Sequence, residues 1–218
     1  MRSEHKTPSL KLIVFDCDGV LVDSWAATMF FYNSVCLGMG REAMTPEEEN
    51  FVFVSTIPQG FARLVGQERV DEALALSAAV PLDEVVARIK PMEGVHHALG
   101  LLKQEGIILA VCTNGGAEQH HVLAGHGLDS CFRTVVTSED VERPKPNPDG
   151  LEQIMGLSGA AARETAFVGD SDSDRKTAEA ARVAFWAFAN PELEAEVHIP
   201  DFKWMEQNLA SLLKGIRK

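Results

Sequence analysis

Five apolar runs punctuate the chain, at residues 10–15, 107–112, 134–137, 165–168 and 183–188, and each is nearly continuous rather than alternating. Continuous hydrophobicity marks strands buried on both faces of a parallel sheet. Stretches of helical period lie between them. Residues 93–104 set Val95, Leu99 and Leu102 on one face, and residues 117–125 follow the second run, with Gly127 as terminator. Pro148 after Asn147 reads as a capped helix start, and Asp172 or Ser173 is placed to cap a helix running to Ala181. Strand and helix in alternation predict an α/β protein with a doubly wound parallel sheet.

The rhythm breaks between residues 25 and 88, which read as several helices. Residues 28–36 are amphipathic or buried. Pro46-Glu47-Glu48-Glu49 is an acidic helix start, and Pro58 and Pro81 suit first-turn positions. Phe51-Val52-Phe53-Val54 could pass for a strand, but the acidic lead-in makes it helix. The cluster Phe30-Phe31-Tyr32 reads as core. The expected organisation is therefore an α/β core from residues 1–24 and 89–218, with residues 25–88 inserted as a small helical domain above the sheet.

Composition narrows the classes. With 218 residues, 45% hydrophobic and 24% charged, the chain can bury a sizeable core and should fold. Its formal charge of −12 argues against a nucleic-acid binder and against docking on anionic membranes. No apolar run approaches the ~20 residues needed to span a bilayer. Residues 1–9 are polar and lack the apolar stretch of a secretory signal, so a cytoplasmic protein is expected. Cys17, Cys36, Cys112 and Cys131 show no paired spacing and read as reduced thiols. His96-His97 and His120-His121 are adjacent pairs, and neighbours on a helix diverge by about 100°, so they read as surface or packing residues rather than zinc ligands.

Chemistry gathers at the strand ends. The first run leads into Asp16-Cys17-Asp18-Gly19, where period-2 alternation sends both carboxylates out together and Gly19 permits a sharp turn. Open α/β sheets bind ligands at that edge. Paired carboxylates repel unless a cation or proton compensates, and an oxygen-ligated Mg²⁺ is the natural partner. The second run ends in Thr113-Asn114-Gly115-Gly116. Arg143-Pro144-Lys145-Pro146-Asn147-Pro148 stiffens the chain around one lysine, and the fourth run ends in Gly169-Asp170-Ser171-Asp172-Ser173-Asp174. Each segment alone is an ordinary turn, a solvated lysine or an acidic helix start. All four at strand ends or their approaches, in this order, are not.

In these four segments the chain resembles the haloacid dehalogenase (HAD) superfamily of phosphoryl-transfer enzymes, over nearly its whole length. The helical insert resembles the cap of the subgroup containing phosphoglycolate phosphatase and β-phosphoglucomutase. The resemblance implies that Asp16 is a nucleophile forming an aspartyl-phosphate, and that Asp18 is general acid and then general base. It implies Mg²⁺ held by Asp16, Asp170 and the Asp18 backbone carbonyl, with Asp174 a ligand or an orienter of bound waters. Thr113 and the backbone N–H of Asn114 would bind phosphoryl oxygens, and Lys145 would balance charge. Asp172 reads as a helix cap rather than a ligand.

The implied activity is a Mg²⁺-dependent phosphatase of a small phosphorylated metabolite, phosphoglycolate phosphatase-like, acting as a monomer or homodimer without nucleic acid or membrane. Arg63 is the candidate contact for a second anionic group of the substrate, with Arg41, Arg69 and Arg88 behind it. The alternatives are a sugar-phosphate phosphomutase and a non-catalytic HAD-like binding protein; a phospho-acceptor signalling domain does not suit the insert. Mutase relatives carry a histidine where this chain has Thr28. Asp18 disfavours dehalogenation, and no lysine lies between residues 25 and 88 to form a phosphonatase Schiff base. The family's frequent Ala-Ala-Gly is here Ala180-Ala181-Arg182.

Overall fold

The computed structural model describes residues 10–214; the polar stretch at residues 1–9 lies outside them. In chain order its elements are β1 (Leu12–Phe15), β2 (Val22–Asp23), α1 (Trp25–Gly38), α2 (Pro46–Phe53), α3 (Ile57–Val65), α4 (Val70–Ser77), α5 (Leu82–Val86), β3 (Lys90–Pro91), α6 (Val95–Gln104), β4 (Ile108–Cys112), α7 (Glu118–Gly125), β5 (Thr134–Val136), α8 (Asp149–Ser158), β6 (Thr165–Gly169), α9 (Asp172–Ala181), β7 (Ala184–Phe188), β8 (Val197–Ile199) and α10 (Phe202–Leu213). Six strands form one parallel sheet in the order β5-β4-β1-β6-β7-β8. The winding starts at β1, runs outward through β4 and β5, then restarts on the other side at β6. The expected α/β doubly wound sheet is the fold.

Alternation across the pleat explains why the strands read as continuous apolar runs. Ile13, Phe15, Leu109, Val111 and Val168 point to one face, beneath Leu99 and Leu102 of α6 and Phe202 and Met205 of α10. Leu12, Val14, Ala110 and Phe167 point to the other, against Leu151 and Ile154 of α8 and Ala178 of α9. Both faces are covered, so no strand position needs to be polar.

The chain leaves this sheet at β2 and returns at β3, which pair antiparallel, Val22 with Pro91 and Asp23 with Lys90. Between them α1 to α4 pack around a separate apolar cluster that includes Tyr32, Val35, Phe61, Leu64 and Ala73, while Val85 and Val86 of α5 pack against the core below. Thr45 with Glu48 and Thr56 with Gln59 form capping boxes that start α2 and α3, and Phe51-Val52-Phe53 is helical. Phe30 departs from the core reading: the Arg88 guanidinium lies over its ring, 3.8 Å from the centroid.

Several local expectations are corrected. The sequence pattern shows five strands; β8 is the sixth, three residues long with His198 exposed. Asn147 does not cap α8, because its side-chain amide donates to Pro144 O and the cap position is Pro148. Neither Asp172 nor Ser173 caps α9. Ser171 does, in a capping box with Asp174, while Asp172 pairs with Arg175 and Lys176. Pro81 sits at the cap of α5, just before its first turn. Gly127 lies past the end of α7 with φ +68°, the terminator conformation expected of it.

Candidate active site

β1 and β6 are neighbours at the point where the winding reverses, the place where an open α/β sheet leaves a crevice beyond its carboxyl ends. Asp16 follows β1, its N–H donating to Val168 O at 2.9 Å, and Asp170 follows β6. Gly19 turns the chain with φ +80°, and a Cβ there would run into the Asp170 carboxylate. Gly19 thus both makes the turn and lets the two strand ends approach. Thr113 follows β4, its N–H held by Val136 O at 3.0 Å.

Lys145 joins these loops. Its Nζ lies 2.8 Å from Asp16 Oδ1 and 2.6 Å from Asp174 Oδ1, and all three residues are buried. Asp174 Oδ2 accepts from both the backbone N–H and the hydroxyl of Ser171, so both of its oxygens are engaged. Asp16 Oδ1 also accepts from Cys17 N–H, whereas Asp16 Oδ2 takes no hydrogen bond among the described residues. Burial alone would push the Lys145 ammonium down, but Asp16 and Asp174 carry it well above the usual lysine range. It stays charged. Burial and then Asp174 push Asp16 up against the opposing pull of Lys145, and the same two causes raise Asp170 to about 7.

Asp18 faces the same crevice. Gln119 Nε2, on α7, donates to Asp18 Oδ2 at 2.8 Å, while Gln119 Oε1 accepts from the Cys17 thiol at 3.2 Å. Burial raises the Asp18 carboxyl, and the Gln119 amide works against that rise. Sequence reasoning missed Gln119; the one available signal was its place in the first turn of the helix that follows Thr113-Asn114-Gly115-Gly116. The Asn114 side-chain amide donates to Lys145 O at 3.1 Å and to Val54 O at 3.3 Å, tying the end of α2 to the core loops. Thr113 Oγ1 accepts from Gly115 N–H at 3.0 Å, and its own hydroxyl hydrogen has no acceptor among the described residues.

Asp16, Asp18, Thr113, Asn114, Lys145 and Asp170 all line one cavity of about 370 Å³ roofed by α1, α2 and α5. Asp174 lies behind it. Arg63 is not brought there: it pairs with Glu47 at 3.1 Å on the outside of the helical layer, with half its side chain exposed. Arg41 pairs with Glu48, Arg69 with Glu72 and Arg88 with Glu84.

Carboxylate oxygens of Asp16, Asp170 and Asp174 lie within 4.8 Å of one another. The donor set is all oxygen and carries more negative charge than Lys145 neutralises, which suits a hard divalent cation. With both Asp174 oxygens already bonded, Asp16 and Asp170 are the carboxylates with capacity for one. Among the described residues no histidine joins this cluster, and His96, His97, His120, His121 and His198 are exposed.

A family model described as haloacid dehalogenase-like hydrolase matches residues 13–188. Among curated proteins, the chain is 32% identical over 184 residues to a "Probable phosphatase IndB" of Dickeya dadantii (strain 3937), covering 79% of this chain and 78% of the relative. It is 30% identical over 183 residues to a phosphoglycolate phosphatase of Pseudomonas syringae pv. syringae (strain B728a), covering 80% and 67%. Among solved structures, a HAD-superfamily hydrolase of subfamily IA, variant 1, from Geobacter sulfurreducens superposes with a TM-score of 0.80 at 32% identity, over 94% of this chain and all of that one.

Proposed function

This chain belongs to the haloacid dehalogenase-like hydrolases, and from that premise we propose that it is a Mg²⁺-dependent phosphatase that cleaves a small phosphomonoester through an aspartyl-phosphate at Asp16. One of the relatives above is a phosphoglycolate phosphatase, an activity of this kind. The observation that carries this reading is the Lys145 bridge. One buried ammonium holds Asp16 Oδ1 at 2.8 Å and leaves Asp16 Oδ2 free in a cavity also lined by Asp18 and Thr113.

In the first step Asp16 Oδ2 forms a bond to phosphorus as the bond to the ester oxygen breaks, and Asp18 gives its proton to the departing alcohol. In the second, a water oxygen bonds to phosphorus, the Asp16–phosphorus bond breaks, and Asp18 takes the water's proton. Asp18 begins this cycle protonated, which burial favours. The Thr113 hydroxyl and the Asn114 N–H donate to the phosphoryl oxygens, and Lys145 offsets their charge. Asp16 and Asp170 would hold Mg²⁺, whose chemistry is to neutralise charge on the transferring phosphoryl group. Asp174 then acts by fixing Lys145 and the Ser171 turn.

Residues 25–88 serve as a cap that closes the cavity from water. α1 presents Thr28 to the cavity and no histidine, which supports hydrolysis over phosphomutase chemistry. Four free cysteines, three of them buried, fit a cytoplasmic, reducing setting. The test is phosphate release from a panel of phosphomonoesters with Mg²⁺ and with excess chelator, using Asp16→Asn as the blank. Mg²⁺-dependent release that the variant loses while keeping its circular dichroism supports the reading; wild-type turnover by Asp16→Asn overturns it.

A further inference from the structure

The cavity continues well beyond the residues assigned to the phosphoryl group, and its far part is apolar. Phe31 of α1, Phe53 of α2, Val80, and Leu82, Val85 and Val86 of α5 face it from the cap, with Val122 of α7 opposite. The polar groups among them are neutral hydroxyls, such as Thr28, Ser55 and Ser77. Among the described residues, Lys145 is the one cation lining the cavity, and it is committed to Asp16 and Asp174 at 2.8 and 2.6 Å. The cap's arginines at 41, 63, 69 and 88 each pair with a glutamate, and none lines the cavity. Glu118 does line it.

A substrate carrying a second anion, such as a carboxylate two carbons from the phosphate, would find no partner here and would meet Glu118 together with the strand-end carboxylates. Burying an unpaired charge among apolar side chains is strongly unfavourable. An uncharged hydrocarbon or aromatic group loses nothing in that surface and gains the area it removes from water. A volume of about 370 Å³ also exceeds what a two-carbon acid fills and falls in the range of pockets for larger organic ligands.

Resting on the phosphatase reading, we infer that the substrate class is a phosphomonoester of an uncharged, largely apolar alcohol, with its hydrocarbon or aryl part seated against Phe31, Phe53 and α5. Specificity then comes from the cap wall, while the loops at the strand ends see the phosphoryl group alone.

The experiment compares kcat/KM, with Mg²⁺ present, for benzyl phosphate, phosphoglycolate and phosphocholine; benzyl alcohol is an alkyl-type leaving group, so it has no phenol-like advantage. Benzyl phosphate should exceed each of the other two by at least tenfold, and Phe53→Ser should narrow the ratio by at least fivefold. The wild-type ratio decides even where the variant fails to fold. Asp16-dependent turnover that prefers phosphoglycolate or phosphocholine overturns this inference and leaves the phosphatase reading standing. If Asp16-dependent turnover is absent for every ester, both fall.

Discussion

The side-chain amide of Gln119 holds Asp18 from one end and the Cys17 thiol from the other, donating at 2.8 Å to the carboxylate and accepting at 3.2 Å from the sulfur. Gln119 is buried, and its two bonds fix the direction in which the Asp18 carboxyl faces the cavity. It touches no reacting atom in the proposed mechanism, so its part is positioning. Removing a donor that favours the ionised carboxylate raises that carboxyl's pKa. The bond is charge-assisted once Asp18 has given up its proton, so Gln119→Met should lower kcat roughly tenfold, about 1.4 kcal/mol, by withdrawing support from that carboxylate. It should also move the pH–rate limb of Asp18 to higher pH. A fall in kcat with an unmoved limb would mark Gln119 as packing only.

Metal and pH are coupled at Asp170. Its carboxyl is raised from 3.8 to about 7 by burial first and by Asp174 second. A carboxyl with a higher pKa folded than unfolded binds more protons in the folded state between those values. The stability of the metal-free protein therefore falls as pH rises through the window from 3.8 to about 7. A divalent ion needs the ionised form, so it should restore what ionisation removes. Thermal unfolding in excess chelator should show Tm falling between about pH 5 and about pH 7.5 by a few degrees, since about 1 kcal/mol moves Tm by roughly 2–4 °C at this size. Added Mg²⁺ should raise Tm more at the higher pH. An equal rise at both would separate the metal from Asp170.

The Lys145 bridge makes a stability prediction that is independent of turnover. Lys145→Met strands Asp16 and Asp174, both buried, without a counter-charge, and such removal costs about 3–5 kcal/mol. Lys145→Met combined with Asp174→Asn removes one of the stranded charges and should recover part of that loss. Both variants should lack activity. Denaturant unfolding of the two single variants and the double variant measures the coupling. An Asp174→Asn effect of the same size and sign in the wild type and in Lys145→Met would show that Lys145 and Asp174 are not energetically linked.

The core strands and the strand-end carboxylates were legible because burial on both faces of a parallel sheet leaves continuous apolar runs with polar residues only where each run ends. β1, β4, β6 and β7 follow that rule. β8 does not: it lies at the sheet edge with His198 exposed, and Val-His-Ile carries no signal of a buried strand. The β2–β3 pair is two residues long on each side and exists because the two connections to the helical layer run together. Capping at α9 was misread because Ser171, Asp172 and Ser173 all suit the position, and the choice was made by Asp174 reaching back to Ser171. Arg63 was misplaced for a related reason. Helical period shows which positions share a face of α3, but not which face turns toward the sheet. Gln119 had no pattern at all; an amide gains its meaning from a partner 101 positions away.

Arg182 ends α9 in the left-handed region, φ 57° and ψ 36°, where Val183 N–H closes the helix onto Ala178 O at 3.0 Å. This explains why glycine often stands there in the family: the position demands a conformation that costs a residue with a Cβ about 1–2 kcal/mol. Arg182 is exposed and forms no ion pair among the described residues, so nothing offsets that strain. Glycine gives back roughly 0.5–1 kcal/mol through the freedom it gains in the unfolded chain. Arg182→Gly should still stabilise by about 0.5–1 kcal/mol and raise Tm by roughly 2–4 °C per kcal/mol, with kcat/KM unchanged. A lower Tm would show that the guanidinium makes a contact worth more than the backbone strain it sits on.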